Sequence, residues 1–169
     1  MCRKCGCCVR CWRLPRKRRV ALVRIEKAIE ADVELVAHFL GEVEAYYGGV
    51  DTRVDQEQIR VALFGPQPVA TVLIAREGDT ALGFASYSFV WPAAGADTSI
   101  YLKELFVREA HRRDGVAGRL MEAVREAGRA AGCSRMEWTA DAGNPPALDF
   151  YRAQGVEPRA DKPFYRTSL

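Results

Sequence analysis

Apolar residues along the chain recur first at a helical spacing and then at a spacing of two. Ala21 to Ile25 reads as a short first strand. Val36, Phe39, Leu40, Val43 and Tyr47 then share one face of a helix over residues 31–47, opened by the acidic Glu30-Ala31-Asp32 and closed by Gly48-Gly49. A shorter helix is expected from Asp55 to Phe64, stopped by Gly65-Pro66. From Val69 the period changes. Val69 to Arg76 and Ala81 to Val90 are β-rich runs joined by Glu77-Gly78-Asp79-Thr80, a hairpin connection, so they read as antiparallel neighbours. Trp91-Pro92 stops the second run, and Ser99 to Val107 is the next strand.

The helical period then returns. Ala117, Leu120, Met121, Val124, Ala127 and Ala131 line one face of a helix that begins near Val116 and ends at Gly132. Arg135 to Ala140 alternates again, so strand, helix and strand make a βαβ unit whose two strands run parallel. Asn144-Pro145-Pro146 opens a short helix through Leu148, Phe150 and Tyr151, stopped at Gly155, and Phe164-Tyr165-Arg166 is expected as a last strand. The fold class is α/β (α+β), a mixed central sheet of about six strands flanked by about four helices in the order β-α-α-β-β-β-α-β-α-β.

Length and charge narrow the picture. A chain of 169 residues supports one compact domain with a substantial core. Residues 1–24 carry nine basic residues and no acidic one, leaving 16 basic against 22 acidic residues in the remainder, a net charge of −6. An acidic body disfavours nucleic acid, which requires a basic face, and favours cationic small substrates. No apolar run reaches the ~18 residues of a membrane helix, and no secretory signal is present, so a cytoplasmic protein without membrane association is expected.

Cys2, Cys5, Cys7, Cys8 and Cys11 crowd the first eleven residues at spacings that suit zinc thiolates. The pairs are nearly contiguous, though, with no apolar residues to fold around an ion. The expectation is a disordered basic extension over residues 1–20, no metal site, and a domain over 21–169. Cys133 reads as a small buried residue. His38 and His111 lack partners at ligand spacing and receive no role.

The chemistry concentrates after the fourth strand. Arg112-Arg113-Asp114-Gly115-Val116-Ala117-Gly118 is a small-residue loop entering a helix, which turns backbone N–H groups that have no intrahelical acceptor toward one point, reinforced by the helix dipole. It reads as a pocket for phosphate. Together with Leu102 to Val107 before it, and with Asn144, Ala147, Phe150, Tyr151 and Gly155 after it, the loop resembles the GNAT superfamily of N-acetyltransferases over residues 21–169. Gly83 to Phe89, Pro92 and Tyr101 to Val107 look like its spermidine/spermine and thialysine branch.

The resemblance implies acetyl-CoA as acetyl donor. Backbone N–H groups of Arg112 to Gly118 would hold the pyrophosphate, and Leu105, Phe106 and Val107 would pair with the pantetheine arm like an added strand. Asn144 would contact that arm or cap its helix, with Ala147 beside it. Tyr151 matches the position that protonates the departing sulfur. The branch carries two successive acidic residues where this chain has Lys103 and Glu104; Glu104 is nominated as base, but alternation along a strand aims it away from the face of residue 103 unless a bulge re-aims it. Glu42, Glu44, Tyr46, Tyr47 and Asp51, with Tyr87 opposite and Lys103, are candidates for recognising the acceptor. The resulting expectation is acetyl transfer to a small-molecule primary amine (polyamine, lysine-like or amino-sugar) by direct attack, in a possible homodimer. The alternatives are a protein lysine or N-terminal acetyltransferase and a non-catalytic acyl-CoA-binding module.

Overall fold

Five strands form one sheet in chain order: β1 (Arg24–Lys27), β2 (Thr71–Glu77), β3 (Thr80–Val90), β4 (Ser99–Val107) and β5 (Arg135–Trp138). The computed structural model describes residues 22–50, 54–159 and 161–168; the basic Cys-rich extension, Ala21 and Asp51 lie outside them. β1 to β4 pair antiparallel, and β4 pairs parallel with β5. That parallel pair is connected through α3 (Val116–Ala130), as the period change after Val107 requires.

The sixth expected strand is absent. Phe164 and Tyr165 are exposed, so this segment has no apolar face to bury and makes no ladder. β1 is displaced toward Lys27 because its register is set by β2, with Arg24 opposite Arg76 and Lys27 opposite Leu73. The helices follow the sequence closely. Asp55 caps α2 (Gln56–Phe64), its carboxylate accepting from the Glu57 N–H at 2.9 Å.

Apolar residues on the two faces of the sheet build two cores. On one face α1 (Val33–Tyr46) and α2 cover Val72, Ile74, Phe84 and Phe106, and the Phe39 ring stacks on Phe84 at 5.1 Å. On the other, Val116, Leu120, Met121 and Val124 of α3 cover Leu73, Ala85, Tyr87, Ile100, Leu102 and Val107. Phe150 and Tyr151 of α4 (Pro145–Ala153) pack at its margin. Each large side chain buried in this way contributes about 1.5–3 kcal/mol. No described helix is long and apolar enough to cross a membrane.

A break in strand pairing shapes the functional end of the sheet. Ser86 pairs with Glu104, but Tyr87 pairs with Leu102, so β4 carries an extra residue at Lys103. Leu102 and Leu105 both pack on the α3 face, whereas strict alternation would put 102 and 104 there. Two residues, Lys103 and Glu104, therefore lie between them on the α1 face, in the manner of a β-bulge. Farther along, a Cβ on Gly83 would lie 2.3 Å from the Phe106 carbonyl oxygen and 2.9 Å from the Val107 Cα, so only glycine lets β3 and β4 approach here.

Candidate active site

β5 stops at Trp138, opposite Leu102, while β4 continues to Val107. From Lys103 onward the β5 side of β4 pairs with no described strand, which leaves a gap in the ladder beyond Trp138. Leu105, Phe106 and Val107 border it, with the Leu105 and Val107 side chains turned to the α3 core and Phe106 to the α1 core. The open edge offers main-chain groups to an extended ligand.

The loop at the end of this edge has the shape expected of an anion cradle. Arg113 and Gly115 both have positive φ, 67° and 78°, which curls successive N–H groups toward the mouth of α3. The Arg119 N–H bonds the Gly115 carbonyl at 3.2 Å, so the N–H groups of Val116, Ala117 and Gly118 precede the helix's own ladder. A Cβ at Gly115 or Gly118 would meet nothing within 4 Å, so both glycines face open space from which a ligand can reach the backbone. Ala117 presents only a methyl group, and Asp114 is exposed. Arg112 is turned inward instead: its Nε donates to the Val107 carbonyl at 3.0 Å, and its guanidinium lies 4.9 Å from the centre of the Tyr46 ring. These features fit the phosphate end and the extended arm of acetyl-CoA.

Glu104 and Tyr151 come together at the gap. Burial pushes the Glu104 carboxyl above its ordinary value, aided by Glu44 and opposed by the Leu105 N–H and the Lys103 charge. Tyr151 sits with its ring 5.3 Å from Trp138 and 5.3 Å from Phe150. Burial, then the Glu104 charge, push its phenol up to about 12, so it holds its proton at neutral pH.

The C-terminal turn of α1 closes one side. The Tyr46 hydroxyl donates to Asn144 Oδ1 at 3.3 Å. The same oxygen accepts from the Ala147 N–H at 3.3 Å, so Asn144 caps α4 and ties it to α1. Ala147 thus serves that cap through its main chain. Tyr47 packs edge-on against Tyr46 at 5.2 Å, and burial followed by the Glu104 charge raises its phenol. Lys103 is exposed beside Glu104.

Two of the acceptor candidates are engaged by other parts of the fold. Glu42 accepts from Arg108 Nε at 2.9 Å and Nη2 at 2.7 Å and pairs with His38 at 3.0 Å, so its carboxylate is committed to joining α1 to the end of β4. Tyr87 is 8% exposed in the α3 core, on the opposite face of the sheet from Glu104. Conversely, Trp138 and Arg108 were not among the expected site residues. Trp138 was visible only as an apolar position in an alternating strand, with nothing local to mark it as the partner of Tyr151. Arg108 also bonds the Ala81 carbonyl at 2.9 Å and covers the Phe39 ring at 4.7 Å, anchoring the start of the loop. Among the described residues no group of His, Cys, Asp and Glu is placed to hold a metal.

An open strand edge, a glycine-bearing loop at its end and a half-buried carboxylate within electrostatic reach of a protonated phenol make up the candidate site. The chain belongs to the acetyltransferase (GNAT) family, whose model matches residues 37–156. It is 25% identical over 147 residues to thialysine N-epsilon-acetyltransferase of Bos taurus, covering 82% of this chain and 86% of that protein. Among solved structures, an integron cassette protein from the mobile metagenome of V. cholerae superposes with a TM-score of 0.75 at 30% identity, covering 87% of this chain and 93% of the other. An aminoglycoside acetyltransferase from an uncultured soil metagenomic sample, solved with sisomicin, shares the fold at 20% identity and a TM-score of 0.74, covering 86% and 97%.

Proposed function

We propose that this acetyltransferase moves the acetyl group of acetyl-CoA directly to a primary amine of a small molecule. The observation that carries the reading is the meeting of Glu104 and Tyr151 at the gap beside the open β4 edge, with the Arg112–Gly118 loop at its far end. Membership of the family and the likeness to a thialysine N-epsilon-acetyltransferase support it. A homodimer is part of the same reading, by resemblance to the polyamine and thialysine branch.

Each residue's part follows from its surroundings. Main-chain N–H groups of Arg113 to Gly118 bind the pyrophosphate, and the β4 edge at Leu105 to Val107 orients the arm. Acetyl-CoA, when bound, supplies the acetyl thioester. The acceptor must be neutral at nitrogen to react, so Glu104 accepts a proton from its ammonium, directly or through water. A carboxylate whose pKa is raised toward neutrality by burial suits that work better than a solvated one. Tyr151 holds a phenolic proton for the departing sulfur. Tyr46 and Tyr47 wall the acceptor side.

The donor half is tested by titrating acetyl-CoA into the protein by calorimetry. Wild-type protein binds; Gly115→Glu, which fills the open cradle with a carboxylate, loses at least about tenfold in affinity, worth 1.4 kcal/mol. Unchanged affinity in that variant overturns the placement.

A further inference from the structure

The β4 bulge puts opposite charges side by side on the α1 face of the sheet, beside the gap. Alternation would have sent Lys103 and Glu104 to opposite faces of the sheet; the extra residue sends both to the α1 face. There Lys103 is exposed, and no ion pair holds its ammonium among the described residues. Beside it Glu104 is half-buried, and the exposed carboxylates Glu44 and Asp141 add negative charge around Glu104 and Tyr47. An exposed cation beside a half-buried carboxylate reads a ligand of the reverse polarity, with its amine inward and an anion outward. A polyamine would instead set a second ammonium against Lys103.

We propose that Lys103 determines acceptor specificity by binding the carboxylate of a basic amino acid, so that the enzyme acts on the side-chain amine of such acids in preference to polyamines. The proposal rests on the acetyltransferase reading above. Lys103 is here a specificity residue and takes no part in proton transfer. A flexible stem and a strongly hydrated ammonium suit it to a carboxylate at the solvent boundary. A hydrogen bond to a charged group at such a place is worth a factor of about ten or more in binding.

Three matched acceptors isolate the carboxylate: lysine, lysine amide, in which it is replaced by a neutral amide, and cadaverine, in which it is missing. The kcat/KM for thiol release from acetyl-CoA is compared among them. Wild-type enzyme prefers lysine to both others by about tenfold or more. Lys103→Met brings the ratios toward one, Lys103→Arg restores them, and Lys103→Glu favours cadaverine. A second readout needs no turnover: with CoA present, lysine raises the Tm of wild-type protein more than lysine amide does, and Lys103→Met abolishes the difference. Equal use of lysine and lysine amide, or ratios that Lys103→Met leaves intact, overturns the specificity role while the acetyltransferase reading stands. Acetyl-CoA binding without turnover of any of the three overturns the amino-acid acceptor. Failure to bind acetyl-CoA overturns the underlying reading and this proposal with it.

Discussion

Glu104 and Tyr151 lie within electrostatic reach of each other at the end of the β4–β5 ladder, and the carboxylate's charge adds to burial in opposing ionisation of the phenol. In the mechanism proposed above the carboxylate serves as base and the phenol, still protonated, as acid. Neither property belongs to either side chain alone. Tyr151 reaches the gap because β5 ends at Trp138, against whose ring it packs.

The pH dependence follows from these directions. Activity rises with pH as Glu104 ionises, with its limb above the ordinary carboxyl value of 4.5, and the Tyr151 proton is lost only near 12. A pH profile of kcat/KM checks this; a limb at or below the ordinary value, or a fall near pH 7, contradicts it. In Glu104→Gln turnover falls by about 100-fold at neutral pH, and the deficit shrinks as the free amine becomes abundant toward its own pKa.

The same shift carries a stability consequence of opposite sign. A carboxyl whose folded pKa is raised favours the folded state below the unfolded pKa, and this contribution is lost as pH rises through the folded pKa. Glu104→Gln therefore raises Tm at pH 7 while lowering turnover, an exchange of stability against activity that thermal denaturation at pH 4 and pH 7 resolves. No gain at pH 7 relative to pH 4 refutes it.

Tyr151→Phe keeps the ring against Trp138 and Phe150 and removes only the hydroxyl. Turnover is expected to fall by about 100-fold with acetyl-CoA affinity nearly unchanged. Steady-state kinetics and calorimetry on the same preparation separate the two, and wild-type turnover would remove Tyr151 from the acid role.

Glu42→Gln tests the reassignment of that residue. Loss of the charge that faces Arg108 costs about 1–3 kcal/mol in denaturant unfolding, with the KM for the amine little altered. A raised KM at unchanged stability would return Glu42 to the acceptor site.

Gly83→Ala forces a methyl group into the main chain of Phe106 and Val107. The expected loss is about 1–3 kcal/mol or more, measured by the urea midpoint. A neutral effect would show that β3 and β4 can separate there.

Local patterns made the elements and the loop that opens α3 legible in the sequence. Helical and strand periods, the small-residue loop before Val116, the parallel pair that its helix connects and the Asn144 cap all depend on residues close in the chain. The acceptor side depends on contacts between distant segments. The bulge that turns Glu104 beside Lys103 exists only through pairing with Ser86 and Tyr87, and Glu42 was drawn away by Arg108, 66 residues on. Tyr87 had the right residue type, but its register placed it in the opposite core. Phe164–Arg166 had a strand's composition but no face to bury. The sequence by itself determined that a tight small-residue loop leads from an extended strand into a helix, because backbone conformation there is set by residues close in the chain. Only the tertiary structure decided which charged groups meet at the gap, because ladder register and the length of the adjoining strand set the direction of every side chain along β4.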